Sequence, residues 1–95
     1  MNKHEALEVL AREASRYRGS SHESLQRLLA TPETKEGRGT SETLYQVEVS
    51  AAWDDRPAGL LRLFFSIDDG GLRAFCPITR SALVQPGGIF DGQIA

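Results

Sequence analysis

Apolar residues fall three and four apart before residue 30 and at every second position from Tyr45 onward, so the chain changes period near its middle. The first stretch reads as a helix. Leu7, Leu10, Ala14 and Tyr17 share one face, and Glu8 and Arg12 stand four apart on the other. Asn2 with Glu5 three residues on has the character of a capping box, and Gly19 suits a left-handed stop. A second start follows at once. Ser20 is the expected cap, Glu23 holds the third helical position, and Leu25, Leu28 and Leu29 make a short stripe that Thr31-Pro32 ends. So short a link predicts a helical hairpin over residues 1–30.

Residues 31–42 are polar, with glycines at 37 and 39, and predict a loop holding one edge strand near 33–36. Tyr45, Val47, Val49, Ala51 and Trp53 then alternate with Gln46, Glu48, Ser50 and Ala52, the pattern of a half-buried strand. Asp54 to Gly59 carries turn residues, and Leu61, Leu63, Phe65 and Ile67 form the next apolar face. Asp68-Asp69-Gly70-Gly71 predicts a tight type I′ hairpin into a third strand with Leu72, Ala74, Cys76 and Ile78 on one side. A last hairpin is expected from Ser81–Gln85 through Pro86-Gly87-Gly88 into Ile89-Phe90. A slip of one residue would turn every apolar side chain outward, so register follows from pattern. Val49 is expected opposite Phe65, Trp53 opposite Leu61, Phe65 opposite Ala74 and Phe64 opposite Phe75. Trp53 should be largely buried.

These elements predict an α+β fold over a single domain, residues 1–95. The helical hairpin packs on one face of a three- to five-stranded, mostly antiparallel meander sheet that occupies residues 43–95.

Composition narrows the function classes. Apolar content of 40% and charged content of 25% suit a packed domain. The net charge of -2 gives no basic footprint for nucleic acid, and nothing approaches the roughly 20 apolar residues of a membrane-spanning helix. Nine of the eleven basic residues are arginines, which favour planar and bidentate contacts. A single cysteine, Cys76, precludes an internal disulfide, and residues 1–5 run straight into an amphipathic pattern; both suit the cytoplasm.

Tyr45-Gln46-Val47-Glu48-Val49, Trp53-Asp54-Asp55-Arg56-Pro57 and Ser66-Ile67-Asp68-Asp69-Gly70-Gly71 with Arg73-Ala74-Phe75 resemble a group of small bacterial proteins. The likeness spans roughly Tyr45 to Phe90. It implies a bacterial cytoplasmic protein, and it brings with it no activity and no functional residue.

The reactive residues make no catalytic set. Asp54 and Asp55 precede a strand of about eight residues and Asp68 and Asp69 follow it, so roughly 25 Å separates the pairs. Paired catalytic carboxylates stand about 5–10 Å apart. Each pair is the ordinary start of a turn. Cys76 points to the predicted core and has no activating neighbour. His4 and His22 each fall in a first helical turn, where solvent exposure is expected, and neither has partners at metal-ligand spacing. Gly37-Arg38-Gly39 lacks the strand-then-helix setting of a phosphate loop. No metal, cofactor or enzymatic role is therefore assigned.

What remains is the outward face of the predicted sheet, where Phe64 and Phe75 would pair across strands between Arg62 and Arg73. Aromatic and Arg residues are enriched where proteins meet, which predicts a non-enzymatic interaction module with a protein partner or a second copy. Sheet aromatics flanked by Arg also stack unpaired bases, so single-stranded nucleic acid is the alternative. The structural reading is that Leu83, Val84, Ile89 and Phe90 fold over both rings.

Overall fold

The computed structural model describes residues 2–70 and 77–95. It is an α+β fold in which an N-terminal helix precedes a four-stranded antiparallel meander, ordered β1-β2-β3-β4. Helix α1 (Lys3–Ser15) begins as expected, with the Asn2 side chain accepting from the Glu5 amide at 3.1 Å. The second helical stretch is shorter than its leucine stripe suggests. Here α2 (His22–Leu25) is one turn and continues as a 3-10 turn over Gln26–Leu29. Its cap is Ser21 rather than Ser20: the Ser21 hydroxyl accepts from the Ser24 amide at 3.0 Å.

The strands are β1 (Glu33–Arg38), β2 (Leu44–Asp55), β3 (Leu60–Asp68) and β4 (Ile78–Val84). The edge strand expected at 33–36 runs two residues further, through Gly37. Helix α1 passes so close there that a Cβ on Gly37 would lie 2.6 Å from Val9 Cγ1. Only a residue without a side chain fits.

The expected register between β2 and β3 is present, with Val49 opposite Phe65 and Trp53 opposite Leu61. The neighbour on the other side of β3 is not the one that the Asp-Gly signal suggests. Ile67 pairs with Ile78, Phe65 with Arg80 and Phe64 with Ser81, so the expected Phe64–Phe75 and Phe65–Ala74 pairs are replaced. Pro77 supplies the physical reason, since it has no N–H to give a ladder and pairing starts on the residue after it. Leu72, Arg73, Ala74, Phe75 and Cys76 lie outside the described residues. The C-terminal hairpin is also redirected. Gly88 donates to Gln85 O as a turn requires, but Ile89 then bridges Ser21 instead of β4.

One buried cluster unites Ala6, Val9, Leu10, Ala14 and Tyr17 with Leu25 and Leu28 and with the inward residues of β2 and β3. Phe90 joins it, 1% exposed and stacked on Phe65 at 5.7 Å. Trp53, expected to be buried, is only half-buried. A bulge between Trp53 and Asp55 ends the regular pairing there, and the ring rests against His22 at 5.9 Å with Arg56 over it at 5.2 Å. Trp53→Ala should therefore cost about 1–2 kcal/mol rather than the 3–5 typical of a fully buried aromatic. A denaturant melt measures it, and a loss above about 3 kcal/mol would restore Trp53 to the core. Among the described residues, no helix is long and apolar enough to cross a membrane.

Candidate functional site

Alternation places two sets of side chains on opposite sides of the sheet. Leu61, Leu63, Phe65 and Ile67 of β3 are buried in the core cluster, while Arg62, Phe64, Ser66 and Asp68 face the other way. Register sets Ser50 and Ser81 on either side of Phe64, and Ala52 and Leu83 on either side of Arg62. Among the described residues, this face carries one half-buried aromatic ring, Phe64, between the hydroxyls of Ser50 and Ser81. Ser66 and Thr79 hydroxyls bond across it at 3.0 Å.

Arg62 is fixed in place. Its Nε donates to Asp54 Oδ1 at 2.8 Å and its Nη1 to Ser81 Oγ at 2.9 Å. Asp54 follows Ala52, the residue opposite Arg62, by two positions, so alternation brings its side chain to the same face. The expected site residues thus separate: Arg62 and Phe64 share the face as predicted, and Arg73 and Phe75 fall outside the described residues. The rest of the face is more acidic than the Arg–Phe motif implied. Glu48 and Asp68 line a depression of about 250 Å³ with Thr34, Gln46, Ser66 and Pro77.

Phe90 turns to the core, on Phe65, not outward over Phe64, and Ile89 is 63% exposed. Burial of the outer ring by Ile89 and Phe90 is thereby overturned. The cause is backbone pairing on the opposite side of the molecule. Gly19 N–H donates to Phe90 O, Phe90 N–H to Ser20 O, and His22 N–H to Gly88 O, at 2.8–2.9 Å.

Two polar nodes were not visible as such in the sequence. Glu5 is 6% exposed, and its carboxylate accepts from Tyr45 Oη (2.7 Å), Ser41 Oγ (2.7 Å), Ser41 N (2.8 Å) and Thr40 Oγ1 (3.1 Å). These donors, Tyr45 first and then Ser41, hold its pKa down at about 2. Burial and the same carboxylate push the Tyr45 phenol up to about 12. Tyr17 is raised likewise, by burial and then by donating to Glu33 Oε1 at 2.8 Å. Glu5 and Tyr45 are moved away from neutrality, the opposite of what proton transfer at physiological pH requires. A Cβ on Gly39 would meet Glu5 Cδ at 2.4 Å, so the glycine pair at 37 and 39 serves close packing against α1.

The second node corrects the expectation for His22, which is 7% exposed rather than solvated. Its Nε2–H donates to Gly59 O at 2.6 Å, which fixes the tautomer, and Nδ1 accepts from Gln26 Nε2 at 3.2 Å. The imidazole thereby links α2 to the β2–β3 turn. His4 is exposed as expected, 2.8 Å from Glu8. Asp54 holds Arg62, and Asp68 Oδ1 accepts from the Gly70 amide at 2.8 Å. Among the described residues, no three His, Cys, Asp or Glu side chains gather into a metal-binding group.

Compared with models of known protein families, with curated proteins and with solved structures, the chain matches none.

Proposed function

We propose that this chain is a small non-enzymatic protein-interaction module that self-associates through the outer face of its sheet, with Phe64 and Arg62 at the centre of contact. The observation that carries this reading is the clamp on Arg62. Asp54 and Ser81 hold the guanidinium beside a half-buried ring, so little side-chain freedom is lost when a partner arrives. Packing of both helical segments on the inner face, as a helical layer, leaves the outer face to the partner. The buried reactive groups Glu5, Tyr45 and His22 are each engaged by hydrogen bonds within the fold, which supports an architectural role for them.

Sedimentation over a range of concentrations, with wild type and Phe64→Ser, tests the proposal. Wild type should dimerise, and the variant should stay folded while its dissociation constant rises by about tenfold or more. A wild type that remains monomeric at about millimolar concentration would overturn self-association. Single-stranded RNA at low salt gives a further check. Glu48 and Asp68 share the face and Arg62 is already neutralised by Asp54, so no saturable binding is expected. Saturable, salt-sensitive binding lost in Arg62→Ala would replace the protein-contact reading with a nucleic-acid one.

A further inference from the structure

The two edges of the sheet are protected differently. β1 carries Glu33, Lys35, Glu36 and Arg38 in six residues, and such charges discourage another strand from adding. The residues of β4 that turn their backbone outward are Thr79, Ser81 and Leu83, none of them charged. Ser81 shows this directly, since its N–H donates to Ala95 O (3.1 Å) and its carbonyl accepts from Ala95 N–H (2.8 Å). That reciprocal pair is one rung of an antiparallel ladder. Two residues along, the next rung would join Leu83 to Gln93. It is not made. The Gln93 N–H instead donates to Asp91 Oδ1 at 2.9 Å, in a turn that leads the tail away from β4. A cleft of about 480 Å³ opens there, lined by Arg62, Ser81, Leu83, Asp91, Gln93 and Ile94. Leu83 is 46% exposed, and among the described residues no backbone bond links it to the tail.

We infer that the outer edge of β4 is a strand-addition site for an extended segment of a partner protein, with residues 93–95 as a displaceable cover. The inference rests on the reading of the chain as an interaction module and names a second surface of it. The seated tail specifies the chemistry of the occupant. Ala95 lies opposite Ser81, so a small residue belongs there. Ile94 packs half-buried against the core, so an apolar side chain belongs at the inward position beside it. A partner without the Asp91 turn can pair with both Ser81 and Leu83, where the tail pairs with one. Phe90 stays buried throughout, so the cover can lift without unseating the anchor. Gly92, at φ 87, lies between the two.

The test uses the full chain and an acetylated, amidated peptide, Thr-Gln-Ile-Ala-Val-Thr, followed by amide-shift titration. The peptide keeps the pattern of residues 93–95 and replaces the turn that precedes them with a strand former. Shifts are expected at Thr79, Ser81 and Leu83. Ile94→Ser with Ala95→Pro weakens the cover and should tighten binding by about tenfold, because a proline at 95 cannot donate to Ser81. Asp91→Ala frees the Gln93 N–H to complete the rung with Leu83 and should weaken binding several-fold. Equal affinity in all three proteins, shifts centred elsewhere, or no binding by the folded double variant would each overturn the inference. If the double variant does not fold, wild type against Asp91→Ala decides it. Phe64→Ser separates the two surfaces, since it should weaken self-association by about tenfold or more and leave peptide affinity unchanged. Peptide failure with intact self-association sinks the edge site alone.

Discussion

Phe90→Ala is expected to be among the most damaging single truncations in the chain, costing about 3–5 kcal/mol. The ring is 1% exposed and stacks on Phe65, which itself meets Tyr17 edge-on at 5.9 Å. A cavity there would open at the centre of the buried cluster, where Tyr17, Phe65 and Phe90 meet. In a domain of this size each kcal/mol lowers the melting temperature by about 4–8 °C, so a fall of at least about 12 °C should be seen. Ile89→Ala is the control. Its side chain is 63% exposed, while its backbone belongs to the same strap, and its effect should stay within about 0.5 kcal/mol. If the two variants melt together, the strap is held by its backbone pairing and the ring is peripheral.

The contrast between Phe90 and its sequence neighbours also shows what the pattern of the chain could and could not reveal. The β2–β3 register was legible because five alternating apolar positions face four, and any slip would expose them all. The partner of β3 was not. Asp68 to Gly71 is locally a good tight turn, and Leu72 to Ile78 alternates well enough to follow it. The absent amide of Pro77 and the second alternating run, Ile78, Arg80, Ala82 and Val84, compete with that reading, and these pair with β3. The destination of Ile89-Phe90 depends on Gly19 and Ser20 offering backbone groups about 70 residues away in sequence, which no local period encodes.

At the candidate site, Arg62 and Phe64 were found by alternation alone. Asp54 as the guanidinium's acceptor was hidden, because Asp54 to Gly59 reads as turn chemistry and gives no alternation from which to place its side chain. Glu5 is the clearest case of a residue that helical periodicity misassigns. It sits in the first turn, where an acid favours the helix dipole and solvent, so its burial could not be foreseen. A partial signal was present. The glycines at 37 and 39 lie next to Thr40 and Ser41, a close-approach loop bearing hydroxyl donors, which is what a buried carboxylate requires.

That carboxylate should govern the acid stability of the fold. Its pKa falls from 4.5 in the unfolded chain to about 2 in the native one. A depressed carboxylate contributes stability that is fully present above the unfolded value and is lost as pH falls toward the folded one. Tyr45 has the opposite sign. Its phenol is raised from 10.0 to about 12, so the proton it donates to Glu5 contributes fully below the unfolded value and is lost as pH climbs toward the upper one. The pair should therefore be insensitive to pH between 4.5 and 10. Glu5→Gln keeps the shape but removes the charge, so the hydroxyls of Tyr45 and Ser41 must either turn from donors into acceptors of the amide NH₂ or give up bonds to an anion for weaker neutral ones. Thermal melts of wild type and Glu5→Gln across the acid range should show their widest gap above 4.5, closing as pH approaches 2. Other carboxylates titrate in both proteins, and the difference isolates Glu5. Tyr45→Phe should reproduce part of the gap, since three of the four donors remain. A Glu5→Gln gap that stays constant down to the lowest pH would mean that the charge is not what α1 uses to hold the Thr40–Ser41 loop.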